Sequence, residues 1–352
     1  MNMGSSIQIN KTGLFFLIFV VGLIIFFYHT SSSTSSARDE KISFEPPDGK
    51  VVSLKELLSA AIDAAVRGGN EVRQVRDAAS LHELSKGETK EGANDPVTDG
   101  DYKSHIVMYY SLKKSFPSIK IVSEEHDSKI DPATIEPAER KLREIDDNIS
   151  SDEIVYSKDI TVWIDPLDAT QEYTEDLRQY VTTMVGVAVK GVPVLGVVHS
   201  PFIPITYWGW VGHGLSANLK TIKKGSAAEL VPSSSPRIIV SRSHKGTVAE
   251  VALQAFGDKT QVIHAGGAGY KILEVIQGRA DAYVHTTAIK KWDLCAGHAI
   301  LSAMGGTLTT LSPVSNIISY GDSTQFLNSN GLLATIRDHE YYLKKLQALR
   351  KP

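Results

Sequence analysis

The sequence carries one cysteine, Cys295, in 352 residues. No intramolecular disulfide can form, so the fold must rest on its packed core. The count does not fix the compartment, because lumenal proteins need not carry disulfides. An excess of positive charge is also lacking: Lys and Arg number 37 against 40 Asp and Glu, a formal net charge of −3. Binders of nucleic acid polymers are usually basic, so no nucleic acid polymer is expected as a partner. An anionic ligand would have to find local partners such as a few Lys or Arg, helix N-termini or bound metal. The sequence shows no internal repeat. Its length allows one large domain or two lobes with ample core.

Charge is absent altogether from Gly13 to Tyr28, which reads GLFFLIFVVGLIIFFY. A membrane-spanning helix needs about 20 apolar residues, and Thr12, His29 and Thr30 can extend the run at modest cost. Residues 13–30 are therefore expected to be a transmembrane signal anchor, with 1–12 as a short tail. The alternative is a cleaved signal peptide cut near Ala37. Against it stand the length of the run and Lys11 as the sole side-chain cation before it. Flanking charge does not orient the segment, since Arg38 and Lys41 sit beside Asp39 and Glu40. The serine-rich run from Ser31 and the charged stretch to Lys50 read as a flexible stalk, residues 31–50. Residues 51–352 are then the globular part, about 51–200 and 201–352 forming two lobes.

Leu54, Leu57, Leu58, Ala61, Ile62 and Ala65 recur at helical spacing, which predicts an amphipathic helix from Ser53 to about Gln74, with Ser53 and Glu56 as a capping box. A second helix is expected over 101–115 and short strands over 119–123 and 160–164. The acidic stretch between them, 126–158, reads as a surface excursion. Strands follow at 182–189, 194–199 and 205–211. Strands at 237–240, 261–264 and 280–284 then alternate with helices at 248–255, 270–277 and 293–304. The mixture implies a layered α+β fold with an antiparallel first half.

Four places put carboxylates at strand ends or turns: Asp95 to Asp101, Glu124-Glu125, Asp165-Pro166-Leu167-Asp168, and Asp293 opening a helix. Each alone has an ordinary explanation, because Asp caps helices and starts turns with Pro. Together they suggest a site for hard cations, which take oxygen ligands. The Asp165–Asp168 turn can aim two carboxylates and the Leu167 carbonyl at one point. Two ions sharing a carboxylate would polarise a phosphate and activate a water.

The order of these segments resembles the lithium-sensitive, magnesium-dependent phosphatase superfamily of inositol monophosphatases and bisphosphate nucleotidases. WIDPLDATQEYTE, Trp163 to Glu175, is very similar to its metal-binding signature, and KKWDLCAG, Lys290 to Gly297, to its second signature. The resemblance implies a layered αβαβα sandwich of the inositol monophosphatase/fructose bisphosphatase type and two or three Mg²⁺. Glu124, Asp165, the Leu167 carbonyl, Asp168 and Asp293 would be ligands. Asp101 and Thr170 would activate the water, and Glu125 would lie behind the ligands or hold a looser third ion. Ala169 stands where many members carry Gly, so the turn is expected not to demand a glycine-only backbone.

Ser241 to His244 and Gly266 to Lys271 resemble the nucleotide-binding segments of the bisphosphate nucleotidases. Ser241, His244, Gly267 and Lys271 would then hold the 5′-phosphate and sugar of a small nucleotide, the helix after Gly267 presenting its N-terminus to the anion. An anchor on such a domain resembles the membrane-bound Golgi branch of the family, single-pass type II with a lumenal domain. The resemblance also allows a homodimer. Asn148-Ile149-Ser150 is a glycosylation sequon compatible with that topology.

Overall fold

A computed structural model describes residues 50–88, 92, 94–126, 132–225, 235–243, 246–312, 314 and 317–349. The anchor expected at 13–30, and the stalk expected at 31–50 apart from Lys50, lie outside them. Among the described residues no helix is long and apolar enough to cross a membrane. Residues from Lys50 onward form one compact unit.

Two sheets organise it. The first contains β1 (Lys120–Ser123), β2 (Ile160–Asp168), β3 (Thr182–Val189), β4 (Val192–Ser200), β5 (Ile205–Trp210) and β6 (Gly214–Leu215), in the order β6-β5-β4-β3-β2-β1. It is antiparallel except for the parallel β1–β2 pair. The second contains β7 (Arg237–Ser241), β8 (Gln261–Ala265), β9 (Ala282–His285), β10 (Thr307–Thr309) and β11 (Leu332–Thr335), in the order β8-β7-β9-β11-β10. The first sheet runs through Leu215, since β5 continues the antiparallel meander onto β4.

The helices are α1 (Leu54–Asp77), α2 (Asp99–Ser115), α3 (Arg143–Asn148), α4 (Thr170–Thr174), α5 (Ala217–Gly225), α6 (Val248–Phe256), α7 (Ala268–Ile276), α8 (Trp292–Ala303) and α9 (His339–Ala348). Side chains alternate across a strand, and here both faces of both sheets are buried. Val162 and Ile164 of β2 and Val185 and Val187 of β3 pack with Leu57 and Leu58 of α1 and Met108 and Leu112 of α2. Trp163 and Met184, on the opposite face, join Ile272 of α7, Leu294 and Ile300 of α8, and Ile239, Tyr283 and Ala334 of the second sheet. The outer face of that sheet, with Val240, Val284 and Leu333, is covered by Val248 of α6 and Leu343 of α9. The layers run helix, sheet, helix, sheet, helix, as the αβαβα expectation has it.

Two local expectations need correction. Ser53 caps α1 by accepting from the Glu56 amide at 3.0 Å, but the Glu56 carboxylate pairs with Arg140 rather than completing a capping box. The stretch from 126 to 158 is not merely a surface excursion. Ile145 and Ile149 are buried in the α1–α2 core, and strand Ile154–Tyr156 pairs with Val51–Ser53. Asn148 of the sequon is half-buried, its amide donating to the Glu144 carbonyl at 2.8 Å and accepting from Lys220 at 2.6 Å.

Candidate active site

β1 and β2 run in parallel with Ser123 opposite Ile164, and the Glu124 amide donates to the Ile164 carbonyl at 3.1 Å. Glu124 therefore leaves its strand alongside Asp165. The β2–β3 register slips between Asp165 and Asp168. Pro166, which cannot donate to a ladder, is tolerated at that irregularity. Asp165 accepts from the Leu167 amide at 3.1 Å, and Ser104 of α2 donates to the Pro166 carbonyl at 2.7 Å. Asp293 arrives from the opposite side, in the first turn of α8. That helix can approach the sheet because β4 offers Gly196, where a Cβ would sit 2.0 Å from the Ala296 carbonyl oxygen.

Carboxylate oxygens of Glu124, Asp165 and Asp293 thus lie within 4.8 Å of one another. A cavity of about 350 Å³ opens over them, lined also by Leu167, Asp168, Thr170, Ser241, Gly267 and Lys271. Burial, then the neighbouring Glu124, drives Asp165 and Asp293 well above the usual carboxylate range. Glu124 behaves oppositely. Burial opposes its charge, but Lys86 and Lys290 outweigh burial and lower its pKa. Both ammonium groups reach the same oxygen, Glu124 Oε1, at 3.0 and 3.2 Å. Lys86 also bonds Glu125 at 2.6 Å, while burial raises the Glu125 pKa. The lysines stand where cationic charge is required.

Beside this trio lies the Asp101–Thr170 pair. Asp101 is buried, its Oδ2 accepting from the Thr98 amide and hydroxyl, each at 2.7 Å. Its Oδ1 accepts from the Thr170 hydroxyl at 3.0 Å. That hydroxyl is also 3.1 Å from the Leu167 carbonyl oxygen. Burial raises Asp101 to about 7, against the Thr98 hydrogen bonds. The carboxylate is thus a proton acceptor poised near neutrality.

Asp168 faces the cavity from a different setting. Its two oxygens accept from the Ala268 amide at 2.9 Å, the Gly269 amide at 2.8 Å and the Thr182 hydroxyl at 3.1 Å. The N-terminus of α7, expected to receive a ligand anion, is therefore already filled by this chain's own carboxylate. Lys271 is buried and donates to the Gly267 carbonyl, and its Nζ lies 3.4 Å from the Ala265 carbonyl. Burial lowers its pKa. Gly267, at φ 62°, has no room for a side chain: a Cβ would lie 2.7 Å from the Tyr180 carbonyl oxygen and 2.8 Å from Asp168 Oδ2. His244 lies outside the described residues.

The turn at Ala169 holds a non-glycine residue in an unusual backbone region. Its φ of 75° and ψ of 45° are left-handed, the region where glycine is at ease and a Cβ costs about 1–2 kcal/mol. The loop takes a glycine-favouring backbone, but alanine adopts it at that cost, so the turn is not glycine-only.

Lys86, Glu172, Arg242, Tyr283 and His285 were not singled out as site residues by the sequence. Lys290, though inside KKWDLCAG, was given no role, and a lone lysine in a hairpin such as Lys86 carries no pattern to find it by. Glu172 carried one signal, a charged residue two places after Thr170.

An all-oxygen ligand set suits a hard divalent cation. Asp165 and Asp168 are buried and Glu124 and Asp293 half-buried, with the lysine pair held on Glu124, so the residues present fit such ions. With a proton acceptor at hand, they suit metal-assisted hydrolysis. The inositol monophosphatase family model matches residues 53–351. The chain is 50% identical over 311 residues, 86% of its length and 83% of the relative's, to the Golgi-resident adenosine 3′,5′-bisphosphate 3′-phosphatase of Bos taurus. It is equally 50% identical over 311 residues to that of Homo sapiens, with the same shares covered. It is 47% identical over 305 residues, 84% and 85% of the two chains, to inositol monophosphatase 3 of Danio rerio. Among solved structures it resembles the Thermotoga maritima inositol monophosphatase, with a TM-score of 0.59 at 18% identity over 84% of this chain and 98% of that one. The chain belongs to the inositol monophosphatase family, a generally metal-dependent family, and is a phosphatase.

Proposed function

We propose that the chain removes the 3′-phosphate of adenosine 3′,5′-bisphosphate, giving AMP and phosphate, in a Mg²⁺-dependent reaction. The observation that carries the chemistry is the Thr170–Asp101 hydrogen bond at 3.0 Å beside the clustered Glu124, Asp165 and Asp293. Glu124, Asp165 and Asp293, with Asp168 and the Leu167 carbonyl, would hold two Mg²⁺, and Glu125 a looser third. When bound, such ions neutralise phosphate charge and acidify a ligated water. Thr170 takes a proton from the attacking water as it passes its own to Asp101. The new P–O bond forms as the bond to the 3′-oxygen breaks, and that oxygen takes up a proton from solvent water to become the hydroxyl of AMP. Asp101, poised near neutrality, holds the proton.

The nucleotide reading is supported by the names of the relatives at 50% identity and by a cavity in which Ser241 and Gly267 border the carboxylates. An inositol phosphate is the second reading, favoured by the name of the Danio rerio relative. The ratio of kcat/KM on adenosine 3′,5′-bisphosphate to that on inositol 1-phosphate decides between them. A ratio well above one supports the nucleotide; a ratio below one gives the substrate to the inositol reading. We further infer that residues 13–30 anchor the chain in the Golgi membrane as a single-pass type II protein, with the phosphatase domain lumenal. The Golgi-resident relatives support this. Protease protection of residues 51–352 in sealed Golgi vesicles is expected; digestion without detergent would refute the topology.

A further inference from the structure

Resting on the nucleotide reading above, a second question is what holds the two walls of the cavity in register. One wall is α4, carrying Thr170; the other is built by the end of β7 and the β8–α7 turn. Glu172 lies between them. It is on α4, only 1% exposed, and it lines the cavity. Arg242, immediately after β7, donates to Glu172 Oε1 at 3.2 Å and to Glu175 at 2.7 Å. The residues on either side of it, Ser241 and Ser243, both line the cavity. The Arg242 amide donates to the Ala265 carbonyl at 3.1 Å, tying it to the end of β8. Gly266 follows, and a Cβ there would sit 2.4 Å from Glu172 Cδ. The Glu172 carboxylate therefore rests on the Gly266 backbone while Arg242 grips it from the side.

We propose that Arg242 and Glu172 are positioning residues that clamp the Ser241–Ser243 segment and the Gly266–Gly267 turn against the water-activating helix, and so set affinity for the nucleoside part of the substrate. Neither needs to touch the reacting phosphate. Both bonds leave the same guanidinium nitrogen, Arg242 Nη1, which joins the buried Glu172 to Glu175 while the planar group fixes its direction. Lysine keeps the charge but lacks the planar group that fixes where it points.

The test uses the full-length protein and its variants Arg242→Ala, Arg242→Lys and Glu172→Gln. Each is assayed on adenosine 3′,5′-bisphosphate and on p-nitrophenyl phosphate, which lacks the nucleoside. AMP binding is measured in parallel by calorimetry, and thermal melting confirms the fold. Arg242→Ala is expected to raise the nucleotide KM and the AMP Kd at least about tenfold, with kcat within about threefold of wild type. Its kcat/KM on p-nitrophenyl phosphate should be little changed, and Arg242→Lys should recover part of the loss. Glu172→Gln keeps the shape of the joint without its charge, and guards against an Arg242→Ala protein that does not fold. It should shift KM in the same direction. Unchanged KM and Kd in folded Arg242→Ala and Glu172→Gln would overturn the clamp, as would equal losses on both substrates. A wild-type protein inactive on the nucleotide would instead overturn the nucleotide reading, and the clamp with it.

Discussion

The Thr170 hydroxyl donates to Asp101 Oδ1 at 3.0 Å, joining residues 69 apart in the chain. The capping box at the start of α2 and the left-handed turn before α4 exist side by side to make that contact. Asp101 is the third residue of α2, and Thr98 both caps the helix and bonds the carboxylate. One pair of side chains thus starts a helix and equips the site. Thr170→Ala and Asp101→Asn should each lower kcat by about 100-fold or more, the usual size of a lost proton acceptor. Because they form one relay, the double variant should lose little beyond either single one. Steady-state kinetics of the three proteins checks this; multiplicative losses would separate the two roles.

Asp165 sits under the strongest like-charge load, with Glu124, Asp168, Asp293 and Asp101 all raising its pKa in addition to burial. Asp165→Asn should lower activity by more than the 10- to 100-fold typical of losing an outer partner of a metal ligand. The metal-free variant should nevertheless melt at or above wild type, since a repelling charge has gone. Melting curves with EDTA, alongside phosphate-release assays, test both halves.

The pH dependence has a definite sign. Asp101 has a folded pKa of about 7, above its unfolded value, and burial likewise raises Asp165, Asp168 and Asp293. A native state that holds protons the unfolded chain has lost becomes less stable as pH rises. These acids therefore weaken the metal-free fold progressively above the ordinary carboxylate range and through pH 7. Mg²⁺ must displace those protons, so its stabilising effect should grow between pH 6 and 8. Melting temperatures with and without Mg²⁺ at each pH provide the measurement; a gain that shrinks with pH would contradict the assignment.

Lys86 occupies Glu124 and Glu125 from a hairpin, with its side chain about one quarter exposed at 26%. A cation bound at Glu124 must displace it. Lys86→Met should tighten Mg²⁺ binding about two- to fivefold, the range expected for loss of a partly exposed ion pair. Titration calorimetry of Mg²⁺ into both proteins would show it; weaker binding in the variant would make Lys86 a helper rather than a competitor.

Ala169→Gly relieves the left-handed strain at φ 75°. It should stabilise the fold by about 1 kcal/mol in denaturant unfolding, with activity close to wild type. A destabilised variant would show that the loop tolerates alanine without strain.

The site was legible in the sequence where chemistry is written as a local pattern. Glu124, Asp165 and Asp293 sit on strand ends and a helix start that hydrophobic periodicity locates, and the family resemblance supplied their order. What stayed hidden depends on contacts between distant segments. Nothing local says that Asp168 fills the N-terminus of α7, that Lys86 reaches Glu124, or that Arg242 grips Glu172. The short strands β10 and β11 were missed because a few buried residues, such as Leu332 to Thr335, show no period to distinguish them. The packing of Ile145 and Ile149 beneath α1 was hidden by the charges around them.

The most direct test follows phosphate release and product identity from adenosine 3′,5′-bisphosphate with residues 51–352, with and without Mg²⁺, resolving 5′-AMP from 3′-AMP chromatographically. The proposed arrangement predicts Mg²⁺-dependent release with 5′-AMP as product, abolished in Asp165→Asn. Release that persists in EDTA, or 3′-AMP as the product, would contradict it.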